Sequence, residues 1–112
     1  MNSKDRRKKL QAELEEIISA HPKVTNPADH VSYQPNEESQ LVYPCFVYTR
    51  DPAFTVKADN LTYLQRDRYE VTYIDRRPDD LIFDIMSNRE FCSHSASFAA
   101  DGLNHTVWDL YN

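Results

Sequence analysis

Glycine is nearly absent from this chain: Gly102 stands alone among 112 residues. That excludes a glycine-rich phosphate cradle, which needs several positions where backbone meets ligand without a Cβ. Cysteine is scarce too. Cys45 and Cys92 are too few and too far apart for a disulfide framework. The first residues are polar and charged, so no secretory signal is expected, and reduced thiols in a cytosolic setting follow. No apolar run approaches the roughly 18 residues that cross a bilayer. Positive charge is in deficit: the net charge is −5, which disfavours general binding to nucleic acid or anionic membranes. The basic cluster Lys4 to Lys9 is followed at once by Glu13, Glu15 and Glu16. Internal repeats and low-complexity tracts are also missing.

Aromatic residues are plentiful, with seven Tyr, five Phe and one Trp. They supply the core of a single domain over residues 1–112. Leu10, Leu14, Ile17 and Ile18 form one apolar stripe on a helix from Lys4 to Ala20, which Ser3 caps and Pro22 ends. Thr25 to Asp29 reads as a loop, His30 to Tyr33 as a short strand, and Gln34 to Gln40 as a mobile connection. Leu41 to Thr49 reads as a strand with apolar residues on both faces: Tyr43, Cys45 and Val47 on one, Phe46 and Tyr48 on the other. Arg50-Asp51-Pro52 is expected to break it. Ala53 to Asn60 reads as a hairpin arm or long loop, with Asp59-Asn60 as turn chemistry.

Leu61 to Ile74 reads as one long strand. At about 3.3 Å per residue it would reach about 46 Å, longer than a domain this size is wide. Its apolar face breaks into charge at Gln65 to Arg68. A bend there, or an arm projecting past the core, is therefore expected. Asp75 to Asp80 reads as a turn into a second helix, packed through Leu81, Ile82, Ile85 and Met86, with Asp79 and Asp80 favouring its N-terminus. Two more strands follow, Phe91 to Phe98 and Asn104 to Tyr111, hinged near Asp101-Gly102. Simple alternation puts Ser93, Ser95 and Ser97 on one face and Cys92, His94, Ala96 and Phe98 on the other. The fold class is α+β: a mostly antiparallel sheet with an N-terminal amphipathic helix and a second helix packed on it.

Candidate chemistry is thin. Cys92 and His94, with Cys45 and His105, are the residue types of a zinc site, but no Cys-x-x-Cys or His-x-x-x-His spacing supports one. A Cys-His nucleophile lacks an oxyanion loop. Asp75, Asp79 and Asp80 lie among arginines at a helix start, where capping and ion pairing account for them. Arg66, Arg68, Arg76 and Arg77 alternate with Asp67, Glu70 and Asp75, as on a salt-bridged surface. The residues point to no enzyme, no cofactor and no metal.

Several stretches nevertheless form a pattern. They are Tyr43-Pro44-Cys45 with Val47-Tyr48, Ala58-Asp59-Asn60, Tyr69 to Arg76, and Ala99 to His105. Together they resemble the head–tail joining, or tail-terminator, proteins of tailed bacteriophages, over roughly Leu41 to Tyr111. The resemblance implies an α+β subunit of the virion, made in the host cytoplasm. It implies a homo-oligomeric ring, commonly a hexamer, at the head-proximal end of the tail. Such a ring ends tail-tube polymerisation and joins the tail to the head connector. Its partners are then itself, the tail-tube protein and the head-completion protein. DNA passes through without specific binding, which an acidic charge suits, and no membrane is involved. A closed ring needs projecting, self-complementary elements. The arm points to Arg50, Asp51, Asp59, Leu61, Tyr63, Arg66, Arg68, Arg76 and Arg77 as subunit contacts. Two rival readings stand beside it: a small cytosolic protein-binding or regulatory domain without catalytic activity, and an enzyme subunit whose site is not evident from the residues.

Overall fold

The computed structural model describes residues 3–35, 40–58, 61–76 and 81–112. For residues 3, 51–58 and 61–66 only the backbone is described. The Ser3 cap, the middle of the Gln34 to Gln40 connection, the Asp59-Asn60 turn and the Arg77 to Asp80 helix start lie outside what is described.

The element order is α1 (Ser3–Ile18), β1 (Val31–Tyr33), β2 (Cys45–Ala58), β3 (Leu61–Asp75), α2 (Leu81–Ser87), β4 (Cys92–Ala100) and β5 (Leu103–Tyr111), with a 3-10 turn at Pro27–His30 before β1. The strands form one sheet in the order β1-β2-β3-β5-β4. Only β1 runs parallel to its neighbour; the other pairings are antiparallel. This is the expected α+β architecture, with both helices over one face of the sheet.

Alternation decides what the helices cover. Phe46 and Tyr48 of β2, Tyr69, Val71 and Tyr73 of β3, and Trp108 and Leu110 of β5 point to that face, where Leu10, Leu14 and Ile18 of α1 and Ile82 and Met86 of α2 meet them. The aromatic rings interlock: Phe46 lies 5.3 Å from Tyr73, Tyr48 6.0 Å from Tyr69, and Phe83 5.9 Å from Trp108. In α2 the packing differs from expectation. Leu81 is 57% exposed, and Phe83 packs against the core instead. A helix of seven residues has room for one inward stripe, and Ile82 and Met86, four apart, occupy it.

Three strand readings are corrected. β2 begins at Cys45, after a cis Tyr43-Pro44 bond. Its expected break at Arg50-Asp51-Pro52 does not occur, and the strand continues to Ala58. Proline is tolerated there because β1 pairs with Phe46, Val47 and Tyr48, so among the described residues the outer edge of β2 beyond Tyr48 has no ladder to serve. The disturbance appears in the register: Asp51 pairs with Arg68, but Val56 pairs with Arg66 and Ala58 with Leu61. Two opposite slips therefore bracket Val56, as bulges do. The long strand at β3 and its projecting arm are both present; the molecule extends 45 Å along its longest axis.

The third correction lies in β4. His94 pairs with Trp108 but Ala96 pairs with Val107, so Ser95 is extra. Each residue after it changes face. Ser97 joins the Trp108 side, where its hydroxyl lies 2.8 Å from His94 Nε2. Phe98 turns to the opposite side and stacks on His105 at 4.8 Å. The Asp101-Gly102 hinge is a two-residue turn with φ of +54° and +75°. That geometry suits Asp-Gly and matches the twist of the strands it joins.

Candidate functional site

The arm is the candidate. β5 reaches only as far as Asp67, whose N–H and C=O both bond to Asn112. β1 stops at Tyr48. Beyond those points β2 and β3 continue as a two-stranded ribbon, residues 51–58 against 61–66.

The base of the arm is pinned from inside. Asp67 is 3% exposed, and Arg6 Nε of α1 donates to its Oδ2 at 3.1 Å. Asn112 Nδ2 donates to the Arg6 carbonyl at 2.9 Å. Arg6, part of the basic cluster, thus serves the fold rather than the surface. The neighbouring Arg7 sits 4.7 Å over the Tyr33 ring. Within the charged break, Asp67 and Arg68 therefore have partners within the chain. The Arg68 guanidinium lies 3.2 Å from Asp109 on β5.

The nine expected contact residues are not equally placed. Arg50 and Arg68 flank the arm's base. Asp51, Leu61, Tyr63 and Arg66 are placed on the ribbon by backbone pairing. Asp59 and Arg77 lie outside the described residues. Arg76 is exposed at the far end of β3, away from the arm, so one continuous patch does not join it to Arg66.

Near Arg76, a cleft of 260 Å³ is lined by His21, Lys23, Tyr43, Pro44, Asp75 and Arg76. Its buried groups are engaged with one another. Lys23 N–H donates to His21 Nδ1 at 3.1 Å, so the imidazole proton sits on Nε2, which faces Asp75 Oδ2 at 3.2 Å. The Tyr73 hydroxyl and the Arg76 N–H also donate to Asp75. Asp75 is thus a structural acceptor, tying the turn after α1 to the end of β3.

The sheet separates the suspected zinc residues. Cys92 and His94 lie on the helix-covered face. Cys45, paired with Ile74, and His105 lie on the other. Both thiols are free. Burial, with Asp75 adding to it, pushes Cys45 up to about 12. Burial pushes Cys92 up to about 11, with Arg89 acting the other way. Neither is poised as a thiolate. Among the described residues no three His, Cys, Asp or Glu gather as a metal set, and no helix is long and apolar enough to cross a membrane.

The sheet face away from the helices is buried at Cys45 and Ile74 and opens to solvent toward β4. Its rows run Cys45–Ile74–His105–Phe98, then Val47–Thr72–Val107–Ala96, then Thr49–Glu70–Asp109–Ser93. It is apolar at one end and charged toward the arm. Val42, Tyr43 and Phe98 are exposed large side chains. The signal was present in the apolar residues on both faces of β2, but the Ser95 bulge hid Phe98 from a simple alternation count.

Set against family models, curated proteins and solved structures, the chain matches none of them.

Proposed function

We propose that this chain is a structural assembly subunit that closes into a ring, commonly a hexamer, at the head-proximal end of a phage tail. There it ends tail-tube polymerisation and joins the tail to the head connector, and it carries no catalytic site. One observation carries the reading: a two-stranded ribbon that extends past both flanking strands. An isolated two-stranded ribbon is marginal in water. Among the described residues neither β1 nor β5 flanks the ribbon, and a contact between subunits would supply the missing neighbour. The motifs from Leu41 to Tyr111 that resemble tail terminators support the same reading.

The test is light scattering followed by complementation of a phage lacking the gene. Arg66→Glu with Arg68→Glu is expected to weaken assembly and leave the circular dichroism spectrum unchanged, since a partly exposed ion pair such as Arg68–Asp109 adds little to stability. Arg68 also faces Asp109, so Arg68→Glu with Asp109→Arg restores the internal pair and isolates the contact between copies. Wild-type protein that stays monomeric even with tail tubes would favour the regulatory-domain reading instead.

A further inference from the structure

We propose that the copies join by strand addition: the outer edge of β2 in the arm of one copy, over residues 53–58, pairs with the open edge of β4, over residues 96–100, in the next. This rests on the ring reading above and names its interface.

β4 ends the sheet, with β5 as its one strand neighbour among the described residues. Its sequence, CSHSASFAA, holds no charge and no proline, and Ser93 to Ala100 are all exposed. Native proteins blunt long edge strands with charge, proline, bulges or a covering element, because unpaired N–H and C=O groups recruit further strands. In β4 the protection is confined to one half. Phe83 of α2 packs on His94 at 5.7 Å, and the bulge follows at Ser95. From Ala96 to Ala100 the pairing to β5 is regular, and among the described residues no device guards the outer side.

The opposite edge of the sheet has the complementary defect. β1 is three residues long, so among the described residues most of β2 has no partner on that side. Ala53-Phe54-Thr55-Val56-Lys57-Ala58 is free of proline and contains strand-favouring residues, with Lys57 as its one charge and the two register slips about Val56 as its irregularity. The two open edges lie at opposite ends of one strand order. Joining one to the other is head-to-tail, the class of contact that closes into rings. Backbone hydrogen bonds would supply the affinity, as in other strand-addition complexes, and the ribbon gains the third strand it lacks. A contact of β4 with a second β4 would stop at a dimer and leave the arm unsupported.

The experiment uses two damaged chains. In one, residues 53–65 are replaced by a short turn, which removes the arm and keeps Asp67. In the other, Ala99→Pro blocks the edge. Ala100 pairs with Leu103 across the two-residue turn, so the Ala99 N–H points away from β5. Native mass spectrometry reads the assemblies, with circular dichroism as the fold control. Ala99→Lys is the second edge variant, should proline disturb the hairpin. Wild type is expected to assemble, and each variant alone to remain monomeric. Mixed, the two variants are expected to form a one-to-one dimer and stop, because each supplies the half that the other lacks. Rings from either variant, or no dimer in the mixture, would overturn strand addition while leaving the ring reading intact. A dimer of the arm-shortened chain alone would assign the edge to a second β4. Wild type that remains monomeric, both alone and with tail tubes, would remove the ring and the inference together.

Discussion

At the residue scale, burial sets the chemistry. Cys45 is 1% exposed, and its thiol is pushed up to about 12. The folded-state value lies above the unfolded one, so the contribution to stability is complete below about pH 9 and is lost as pH rises toward 12. Cys92 and Tyr69 act in the same direction, raised by burial to about 11 and about 12. Unfolding free energy is therefore expected to fall between about pH 9 and 12, and Cys45→Ala to flatten that slope. Urea titrations at a series of pH values measure it, and a slope unchanged by Cys45→Ala would assign the loss elsewhere. The Tyr69 hydroxyl and Trp108 Nε1 are buried with no hydrogen-bond partner among the described residues. Tyr69→Phe removes an unsatisfied donor and leaves no other group stranded. It is expected to be neutral within about 0.5 kcal/mol or stabilising; a loss above about 1 kcal/mol would reveal a partner for that hydroxyl. Asp67 is the opposite case. Asp67→Ala leaves the Arg6 guanidinium buried without its carboxylate, at an expected cost of about 3–5 kcal/mol in chemical denaturation.

At the element scale, α1 is held by an apolar stripe and locked at its middle. Leu10, Leu14 and Ile18 are fully buried. Leu14→Ala should cost about 2–5 kcal/mol, read from the same urea curves, and a cost near zero would mean the helix does not rest on the sheet. Glu13 is held by Arg89 in two bonds of 2.7 and 2.9 Å, beyond the end of α2. Arg89 Nη2 also reaches the Asn112 side chain at 3.2 Å. One guanidinium thus joins α1, the segment after α2 and the chain end. Arg89→Lys loses the planar fork and is expected to cost more than a surface ion pair, about 1–2 kcal/mol. The α1 stripe and the Asp-Gly turn were legible in the sequence because each depends on residues close together. The Ser95 bulge was not, since an extra residue shows only against the partner strand. The continuation of β2 through Pro52 was hidden for a related reason: proline breaks a strand only where its N–H is needed, and β1 ends before that point.

At the scale of the whole molecule, length and alternation were sufficient for the α+β class, the single sheet and the long β3. Aromatic content and period-two spacing constrain which side chains meet the helices, and a strand of about 46 Å cannot be hidden in a domain of this size. Tertiary structure alone decided the rest. It turned Arg6 and Asp67 inward as a pair, put Arg68 against Asp109, and engaged Asp75 with His21. Each of these partnerships spans sheet neighbours or distant chain segments, and Coulomb attraction has no sequence period to read. It also decided that β4 ends the sheet. An edge is a property of strand order, and strand order is chosen by which apolar faces the helices can cover together, not by any one strand's residues.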